Sequence, residues 1–378
     1  MRIGAEPTPL ATQLAEKIRQ NGPMTFADYM EVCLYHPQYG YYSKSDQQPR
    51  RDYITSVDAS PLFGRLLTRQ FHEMWDALGN PSRFLLVEAG AGIGTLAKYV
   101  LDFAADSFPE FFSALTYVAV ERSEARRAAH ASLLESHSAR GRFESSSDLP
   151  KEIPGGCIFS NELLDAFPVH RVVPQSRELR EIYVAFDDER GLHETLGPLS
   201  SRRIAEYFAE QGIALHENQQ AEVNLKACDW IEDAGKRLER GFVLTIDYGH
   251  PAAELYDERH MRGTLLAYQR HRANENYFHT PGEQDLTALV NFTALDLWGR
   301  RRGLVRTGLT SQTNFLLSLA RHSNCADLEP AGLSDAEQAR IRLLFKTLIY
   351  PEGMGETFQV FGQHKGIDAP RLAGFEEL

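Results

Sequence analysis

One stretch of the chain, residues 84–96, most constrains the fold. It opens with four consecutive apolar residues, Phe84–Val87, the pattern of a parallel strand that is covered on both faces. Three glycines at alternate positions follow, namely Gly90, Gly92 and Gly94. Glu88 therefore falls at the carboxyl end of the strand, the edge where open α/β sheets bind ligands. The stretch predicts a parallel α/β sheet with a binding loop after its first strand.

The spacing of these glycines helps to distinguish two kinds of cofactor. A dinucleotide-binding fingerprint that began at Gly90 would have its third glycine at position 95, which is Thr95. The pattern that is present, E-x-G-x-G-x-G from Glu88 to Gly94, resembles motif I of the class I S-adenosylmethionine (SAM) methyltransferases. Glycines in such a loop let the backbone turn sharply and approach a bulky ligand. The alternative is a tight turn that binds nothing.

Composition and charge restrict the possible partners. A chain of 378 residues, 43% of them hydrophobic, has enough apolar residues for a large core. Its formal net charge of −12 argues against general nucleic-acid binding, and no apolar run approaches the roughly 18–20 residues of a membrane span. The four cysteines are scattered and the histidines lack metal-ligand spacing. We therefore expect a metal-free protein of the bacterial cytoplasm, or of the mitochondrial matrix if the source is eukaryotic.

Residues 1–80 predict a helical N-terminal region. Apolar residues recur at every fourth position within Pro9–Gln20, which gives one apolar helix face, and Thr25 is suited to cap the next helix. The aromatic segment Tyr35–Tyr42 and the segment Arg51–Ser56 follow. Two interpretations are open for them, a packed aromatic cap or a lid that covers the cofactor.

From Phe84 onward, strand and helix patterns alternate, as they do around a parallel sheet. The further expected strands are Thr116–Val120, Arg142–Glu144, Gly156–Ser160 and Gly241–Ile246, with antiparallel strands at Leu304–Leu309 and Phe358–Phe361. Glu121 ends the second strand, where such folds have the acid that receives ribose hydroxyls. SAM and a nicotinamide cofactor would both use it, and an ordinary surface glutamate is the alternative. Asp148, or a backbone amide in the same polar loop after the third strand, is the candidate to hold the exocyclic amine of adenine.

Polar residues also concentrate after the fourth expected strand, in Asn161–Pro168. An unpaired buried carboxylate is costly, so we expect Glu162 and Asp165 to face solvent, a helix N-terminus or a cation. A guanidinium group would pair with either carboxylate through two parallel hydrogen bonds. The alternative is that Asn161 and Asp165 only cap the following turn. Asp247 ends the fifth strand at the same edge and is a further candidate for substrate contact.

Several segments together resemble the MidA family of SAM-dependent methyltransferases. They are Glu88–Leu96, Asn161–Pro168, Asp247–Gly249, Arg262–Tyr268 and Pro281–Thr287, with His36–Tyr42 and Ser60–Gly64 nearer the N-terminus. The resemblance implies a class I methyltransferase with a Rossmann-like sheet, a helical N-terminal region, and an inserted β-arm and helical segments. It also implies SAM as the cofactor, for which the candidate binding residues are Glu88, Gly90, Gly92, Gly94, Glu121, Asp148 and Asn161.

The activity that the resemblance implies is transfer of a methyl group from SAM to an arginine of a protein. In the family's mitochondrial members the product is symmetric dimethylarginine on a respiratory complex I subunit, so such a subunit is the implied partner. Glu162, with Asp165, would orient the guanidinium and accept its proton, and Asp247 is the third candidate catalytic residue. A homodimer is left open.

Three other functions remain alternatives on the sequence alone. The first is a SAM-binding assembly factor in which methyl transfer is incidental. The second is a small-molecule methyltransferase. The third is a nicotinamide-dependent oxidoreductase, which the glycine spacing disfavours.

The expected organisation is an N-terminal region with a cofactor lid over residues 1–80 and a methyltransferase domain over residues 81–378. Two insertions are expected in that domain, at about residues 168–221 and 250–295. Alternation in Val169–Val173 and Glu181–Phe186 predicts a β-hairpin arm in the first insertion. The second insertion is either a solvated loop or a clamp for an acidic protein, because it is rich in cations: Arg259, Arg262, Arg270, His271 and Arg272.

Overall fold

The computed structural model describes residues 7–43, 61–269, 272–325, 334–350 and 358–377. In this part of the chain the helices are α1 (Pro9–Asn21), α2 (Phe26–Tyr35), α3 (Pro61–Ala77), α4 (Thr95–Ser107), α5 (Pro109–Ala114), α6 (Glu124–Leu133), α7 (Glu135–Ala139), α8 (Arg202–Gln211), α9 (Leu225–Arg237), α10 (Ala252–Leu255), α11 (Phe292–Arg300), α12 (Gln312–His322) and α13 (Asp335–Ile349). The strands are β1 (Met24–Thr25), β2 (Phe84–Ala89), β3 (Leu115–Val120), β4 (Phe143–Ser146), β5 (Gly156–Asn161), β6 (His170–Gln175), β7 (Glu178–Asp187), β8 (Gly191–Gly197), β9 (Ala221–Val223), β10 (Gly241–His250), β11 (Leu266–Gln269), β12 (Arg272–Asn274), β13 (Asp285–Thr287), β14 (Val290–Asn291), β15 (Val305–Ser311) and β16 (Phe358–Lys365). None of the helices in these described ranges has the length and apolar character needed to cross a membrane.

The chain divides into two compact units. The first unit takes the described residues of Met1–Tyr53, Leu164–Asp229 and His250–Leu297, and the second takes those of Ile54–Leu163, Trp230–Gly249 and Trp298–Leu378. Helix α3 therefore groups with the second unit, although it falls within residues 1–80 of the expected N-terminal region. The boundary that we expect between two domains at residue 80 stays a prediction.

The second unit contains the strand path β15-β16-β10-β5-β2-β3-β4. Neighbours from β10 to β4 are parallel, whereas β16 is antiparallel to both β10 and β15. The parallel strands follow the order 3-2-1-4-5 of doubly wound sheets, and the last strand of the chain enters between the fifth and the sixth. The expected α/β sheet, with its antiparallel final pair, is confirmed.

The core of the second unit follows from its apolar strands. All six residues of β2 are buried, and the register puts Leu86 beside Tyr117 of β3 and Cys157 of β5. The apolar face of α3 joins the same hydrophobic cluster. Because β2 is buried along its length, the loop at its carboxyl end is the first place where this strand can meet a polar ligand.

The first unit contains the strand path β1-β7-β6-β9, with β8 paired to β7. The predicted β-hairpin arm is confirmed, since β6 and β7 are antiparallel and Gln175 lies opposite Glu178. In the second insertion, β12, β11 and β13 form a small antiparallel sheet, so the interpretation of this insertion as a loop alone is wrong. Arg270 and His271 lie outside the described residues.

The aromatic segment Tyr35–Tyr42 packs within the first unit. Tyr41 is buried, and the ring of Tyr35 stacks on the ring of Tyr42 with centroids 5.7 Å apart. The hydroxyl of Tyr42 donates to Asp285 across 2.9 Å. These contacts agree with a packed aromatic cap. The second half of the expected lid, Arg51–Ser56, lies outside the described residues, so the lid stays a prediction.

Candidate functional site

The glycine loop after β2 is tied to the neighbouring strand by its backbone. The amides of Gly90 and Ala91 donate to the carbonyl oxygen of Val120, across 2.9 and 3.0 Å. Gly90 has a φ of +78°, which a residue with a Cβ rarely adopts. A Cβ added at Gly90 would also lie only 2.9 Å from Cδ1 of Leu163. The loop therefore needs a glycine at position 90 for two separate reasons.

Glu88 is a buried acid at the end of β2. Its side chain is 4% exposed, and its Oε2 accepts a hydrogen bond from the hydroxyl of Tyr117 across 2.6 Å. Burial raises the pKa of Glu88 to about 7, the bond from Tyr117 lowers this pKa, and the charge of Glu121 raises it. At neutral pH this carboxyl group is therefore divided between its protonated and ionised forms.

Glu121 joins the end of β3 to the glycine loop. Its Oε2 accepts the N–H of Gly92 across 3.0 Å, and its Oε1 accepts the N–H of Ser123 across 2.8 Å. Each carboxylate oxygen can accept a second hydrogen bond, so this geometry leaves capacity for ribose hydroxyls. Its predicted position at the strand end is confirmed, whereas ribose binding stays a prediction.

His130 is a residue of the site that no sequence motif marks. It lies on α6 and is 1% exposed, with Nε2 at 2.8 Å from the carbonyl oxygen of Gly92. The other ring nitrogen, Nδ1, lies 2.8 Å from Oγ of Ser145. The available signal was a single histidine in a helix of alanines and charged residues, and such a histidine is usually solvated.

The acidic segment after β5 is fixed by the neighbouring strand β10. The N–H of Glu162 donates to the carbonyl oxygen of Ile246 across 3.0 Å, and the N–H of Leu163 donates to Oδ2 of Asp247 across 3.1 Å. Glu162 has a φ of +53°, and its Oε1 accepts a hydrogen bond from Nδ2 of Asn161 across 3.0 Å. The second unit therefore brings Asn161, Glu162 and Asp247 together beside the glycine loop, which Leu163 contacts at Gly90.

Two candidate residues have other surroundings. Asp148 is exposed after β4, and its Oδ2 accepts a hydrogen bond from the hydroxyl of Ser147 across 2.6 Å. Asp165 is buried in the first unit, where its backbone oxygen accepts the N–H of Ala288 across 3.0 Å. Burial, and then the charges of Asp165 and Asp285, raise the pKa of Tyr268 in that unit. The roles of Asp148 in adenine binding and of Asp165 in catalysis stay predictions.

The second-unit site fits a large cationic ligand with a ribose. A Cβ at Gly92 would meet none of the described heavy atoms within 4 Å, so the described residues leave space beside the loop. Oδ1 of Asn161 is buried and accepts no hydrogen bond from the described residues. Glu88 and Glu121 supply two carboxyl groups near the same loop. In the described part of the chain, no group of three histidine, cysteine, aspartate or glutamate residues is arranged to hold a metal ion.

Comparison with known proteins points to the same ligand. Residues 66–310 match the model of a family described as "Putative S-adenosyl-L-methionine-dependent methyltransferase". A Burkholderia thailandensis protein, crystallised with S-adenosyl-homocysteine bound, has the same fold with a TM-score of 0.87 and 31% sequence identity. That match covers 99% of this chain and 98% of the other. S-adenosyl-homocysteine is SAM without its methyl group, and the prediction of SAM as the cofactor is confirmed.

Two curated relatives match over nearly the whole chain. The mouse mitochondrial protein arginine methyltransferase NDUFAF7 is 30% identical, over 94% of this chain and 84% of the mouse protein. The mitochondrial NDUFAF7 homologue of Drosophila melanogaster, also named a protein arginine methyltransferase, is 29% identical, over 96% of this chain and 86% of its own length. The similarity therefore includes both compact units.

Proposed function

The chain belongs to the MidA family of SAM-dependent methyltransferases, and on that basis we propose that it transfers a methyl group from SAM to an arginine side chain of a protein. Relatives at 29% and 30% identity are named protein arginine methyltransferases, which supports this acceptor. At such identity a cofactor loop can be kept while the acceptor changes. The residues beside the loop therefore carry the proposal.

The observation that supports this acceptor most strongly is the backbone conformation of Glu162 and its position next to the cofactor loop. Its left-handed φ of +53° costs a non-glycine residue about 1 kcal/mol or more, and strain of this kind concentrates at functional sites. The next residue, Leu163, packs against Gly90 of the cofactor loop. A carboxylate held beside the cofactor loop is suited to bind a guanidinium group through two hydrogen bonds.

SAM supplies an electrophilic methyl group on a sulfonium. The protein must hold the acceptor nitrogen in line with that methyl group and exclude water. Glu162 binds the guanidinium and turns one nitrogen toward the methyl group. As the nitrogen–carbon bond forms and the sulfur–carbon bond breaks, the nitrogen loses a proton, which the carboxylate of Glu162 accepts and passes to solvent. Asp247 contributes by holding the N–H of Leu163, and no covalent enzyme intermediate is needed.

The test is incubation of the purified protein with a lysate of its source organism and isotopically labelled SAM, followed by mass spectrometry of peptides. We expect label on arginine of one or a few proteins. Glu162→Gln should lower this labelling by at least about 100-fold while S-adenosyl-homocysteine binding, measured by calorimetry, is unchanged. Glu110→Gln, at an exposed position of α5, is the matched control and should label normally.

Each of the other outcomes contradicts a different part of the proposed function. Label on a small molecule alone contradicts the protein acceptor, and label on a residue other than arginine contradicts the guanidinium. Normal labelling by Glu162→Gln contradicts the role of that carboxylate. If S-adenosyl-homocysteine binds and nothing is labelled, an assembly function without essential catalysis is favoured.

The proposal extends to partner and location. The resemblance to the MidA family implies a complex I subunit as the substrate of its mitochondrial members, so we propose a subunit of respiratory complex I as the protein acceptor. We propose the bacterial cytoplasm as the location, or the mitochondrial matrix if the source is eukaryotic; the relatives from mouse and Drosophila melanogaster are named as mitochondrial proteins. Sedimentation of the purified protein tests the homodimer, and the identity of the labelled protein tests the partner.

A further inference from the structure

The peptide groups on both sides of Gly92 are held by hydrogen bonds. The N–H of Gly92 donates to Oε2 of Glu121 across 3.0 Å, and the carbonyl oxygen of Gly92 lies 2.8 Å from Nε2 of His130. Glu121 directly follows β3, and His130 lies on α6, the next helix. One short segment of chain therefore fixes the backbone of the cofactor loop at its central glycine.

The hydrogen bonds of His130 define its tautomer. A carbonyl oxygen can only accept, so Nε2 carries the proton that is donated to Gly92. Nδ1 then has a lone pair, which accepts from the hydroxyl of Ser145 across 2.8 Å. Burial lowers the pKa of His130, which favours this neutral form. The imidazole thus joins the cofactor loop to the end of β4.

Further contacts keep the ring in place. The ring of Phe143 stands nearly perpendicular to the imidazole, with centroids 5.8 Å apart. A Cβ at Gly94 would lie 3.1 Å from Cδ2 of His130, so the glycine at this position leaves room for the ring. His130 is also the buried residue of α6, a helix that is otherwise at the surface. The imidazole is therefore placed to orient the loop.

We propose that His130 is a positioning residue for SAM, which sets the carbonyl of Gly92 and so the shape of the loop that receives the cofactor. The described part of the chain leaves space beside Gly92, and a rotated Gly92–Ile93 peptide would change which polar groups border that space. Preorganisation of this kind acts on the affinity for the cofactor. His130 does not touch the reacting atoms, so its loss weakens SAM binding and leaves turnover at saturating SAM nearly unchanged. This inference depends on the cofactor and is independent of the proposed arginine acceptor.

The experiment compares two substitutions of His130 in the full chain. His130→Leu removes the donor to Gly92, whereas the amide of His130→Gln can donate from a position near that of Nε2. Calorimetry with S-adenosyl-homocysteine should show about tenfold or weaker binding for the leucine variant and binding within about threefold of wild type for the glutamine variant. Amide hydrogen exchange in residues 90–94 of the free protein should be faster in the leucine variant alone.

Three results would overturn the inference. One is wild-type binding by His130→Leu, and another is a glutamine variant that binds as weakly as the leucine variant while both are folded. If His130→Leu fails to fold, Ser145→Ala takes its place, because Ser145 is at the surface and its loss frees the Nδ1 side of the ring. We expect that variant to bind S-adenosyl-homocysteine about threefold more weakly. Unchanged binding and unchanged exchange in the loop would be the third contrary result.

Discussion

The hydroxyl of Tyr117 donates a hydrogen bond to Oε2 of Glu88 across 2.6 Å in the interior of the second unit. The two side chains meet because β2 and β3 pair in parallel with Leu86 opposite Tyr117, and Glu88 lies two residues further on the same face. Burial raises the pKa of Glu88 to about 7, against the opposing effect of this bond. A carboxyl group at the cofactor loop thus changes its charge near neutral pH.

The affinity for SAM should therefore depend on pH. SAM carries a positive sulfonium and an amino group, so the ionised form of Glu88 binds it better than the protonated form. Below the pKa of about 7 Glu88 is mostly protonated, and we expect the affinity to fall toward tenfold per pH unit, whereas above that value it should level off. Calorimetric titration of SAM between pH 6 and 8.5 measures this profile.

Two variants separate Glu88 from other titrating groups. Tyr117→Phe removes a donor that lowers the pKa of Glu88, so the midpoint of the profile should move to higher pH. Glu88→Gln should give weaker binding with a nearly flat profile over the same range. A profile that keeps its slope in Glu88→Gln would assign the pH dependence to another group.

The stability of the protein without SAM should depend on pH in the opposite direction, and decrease as the pH rises. The pKa of Glu88 in the folded state, about 7, lies above the ordinary glutamate value of 4.5, so the folded state binds this proton more tightly than the unfolded state does. The contribution to stability is full below pH 4.5, decreases as the pH rises, and is lost above about pH 7. Glu88→Gln removes the buried charge and should raise the free energy of unfolding at pH 8 by about 1–3 kcal/mol. Urea unfolding at pH 8 and pH 5 measures this, and an equal gain at both values would contradict it.

The strands and the glycine loop were predictable because their signals are local. Four consecutive apolar residues mark β2, and alternate glycines mark a loop that turns through positive φ, as Gly90 does at +78°. The raised pKa of Glu88 was not predictable in the same way. The environment of Glu88 depends on Tyr117, 29 residues away, and on a strand register that no single segment encodes.

Other features were missed for related reasons. Strand β8 is mostly polar and shows little alternation of apolar and polar residues. Its pairing with β7 therefore depends more on β7 than on the residues of β8 itself. His130 has no motif, and its role follows from where α6 packs. The sequence order also put Asp165 beside Glu162, whereas the contact pattern assigns the two residues to different compact units. Adjacency in the chain does not define which unit a side chain packs in.

Alanine at two glycines of the loop should separate folding from cofactor binding. Gly90→Ala combines a φ of +78° with a contact of 2.9 Å to Leu163, so we expect a loss of about 2–4 kcal/mol of stability and little SAM binding. In Gly92→Ala the new methyl group would meet no atom of the described residues within 4 Å, so the expected cost is that of its φ of +56°, about 1–2 kcal/mol. Its methyl group occupies the space expected for the cofactor. A folded Gly92→Ala that binds S-adenosyl-homocysteine normally would contradict the placement of the cofactor.

A buried arginine should be essential to the first unit. The guanidinium of Arg171 lies between the rings of Phe26 and Tyr277, 5.0 and 5.1 Å from their centroids, and it pairs with Glu194 and with the buried Glu222. Arg171→Met leaves the charge of Glu222 uncompensated, so we expect a loss of about 3–5 kcal/mol in urea unfolding.

The accompanying variants test the cause of that loss. Glu222→Gln in the Arg171→Met background should recover part of the stability, because the uncompensated charge is removed. The surface control Arg202→Met, whose ion pair with Glu206 is exposed, should change stability by less than about 0.5 kcal/mol. A loss in Arg171→Met that the second substitution does not reduce would assign the effect to packing against the two rings.

Asp247 should act on methyl transfer more than on cofactor binding. Its two oxygens accept the N–H groups of Leu163 and Tyr248, across 3.1 and 3.0 Å, and the residue is fully buried. Asn at this position has one carbonyl oxygen and an amide that cannot accept, so one of the two N–H groups loses its acceptor. If the hydrogen bond from the N–H of Leu163 is the one that is lost, the backbone that holds Glu162 can shift. We expect Asp247→Asn to bind S-adenosyl-homocysteine within about threefold of wild type and to label arginine about 10–100-fold more slowly.

Asp106→Asn, at an exposed position of α4, is the matched control. Equal losses of binding and labelling in Asp247→Asn would mean that Asp247 supports the cofactor loop itself, through the contact of Leu163 with Gly90.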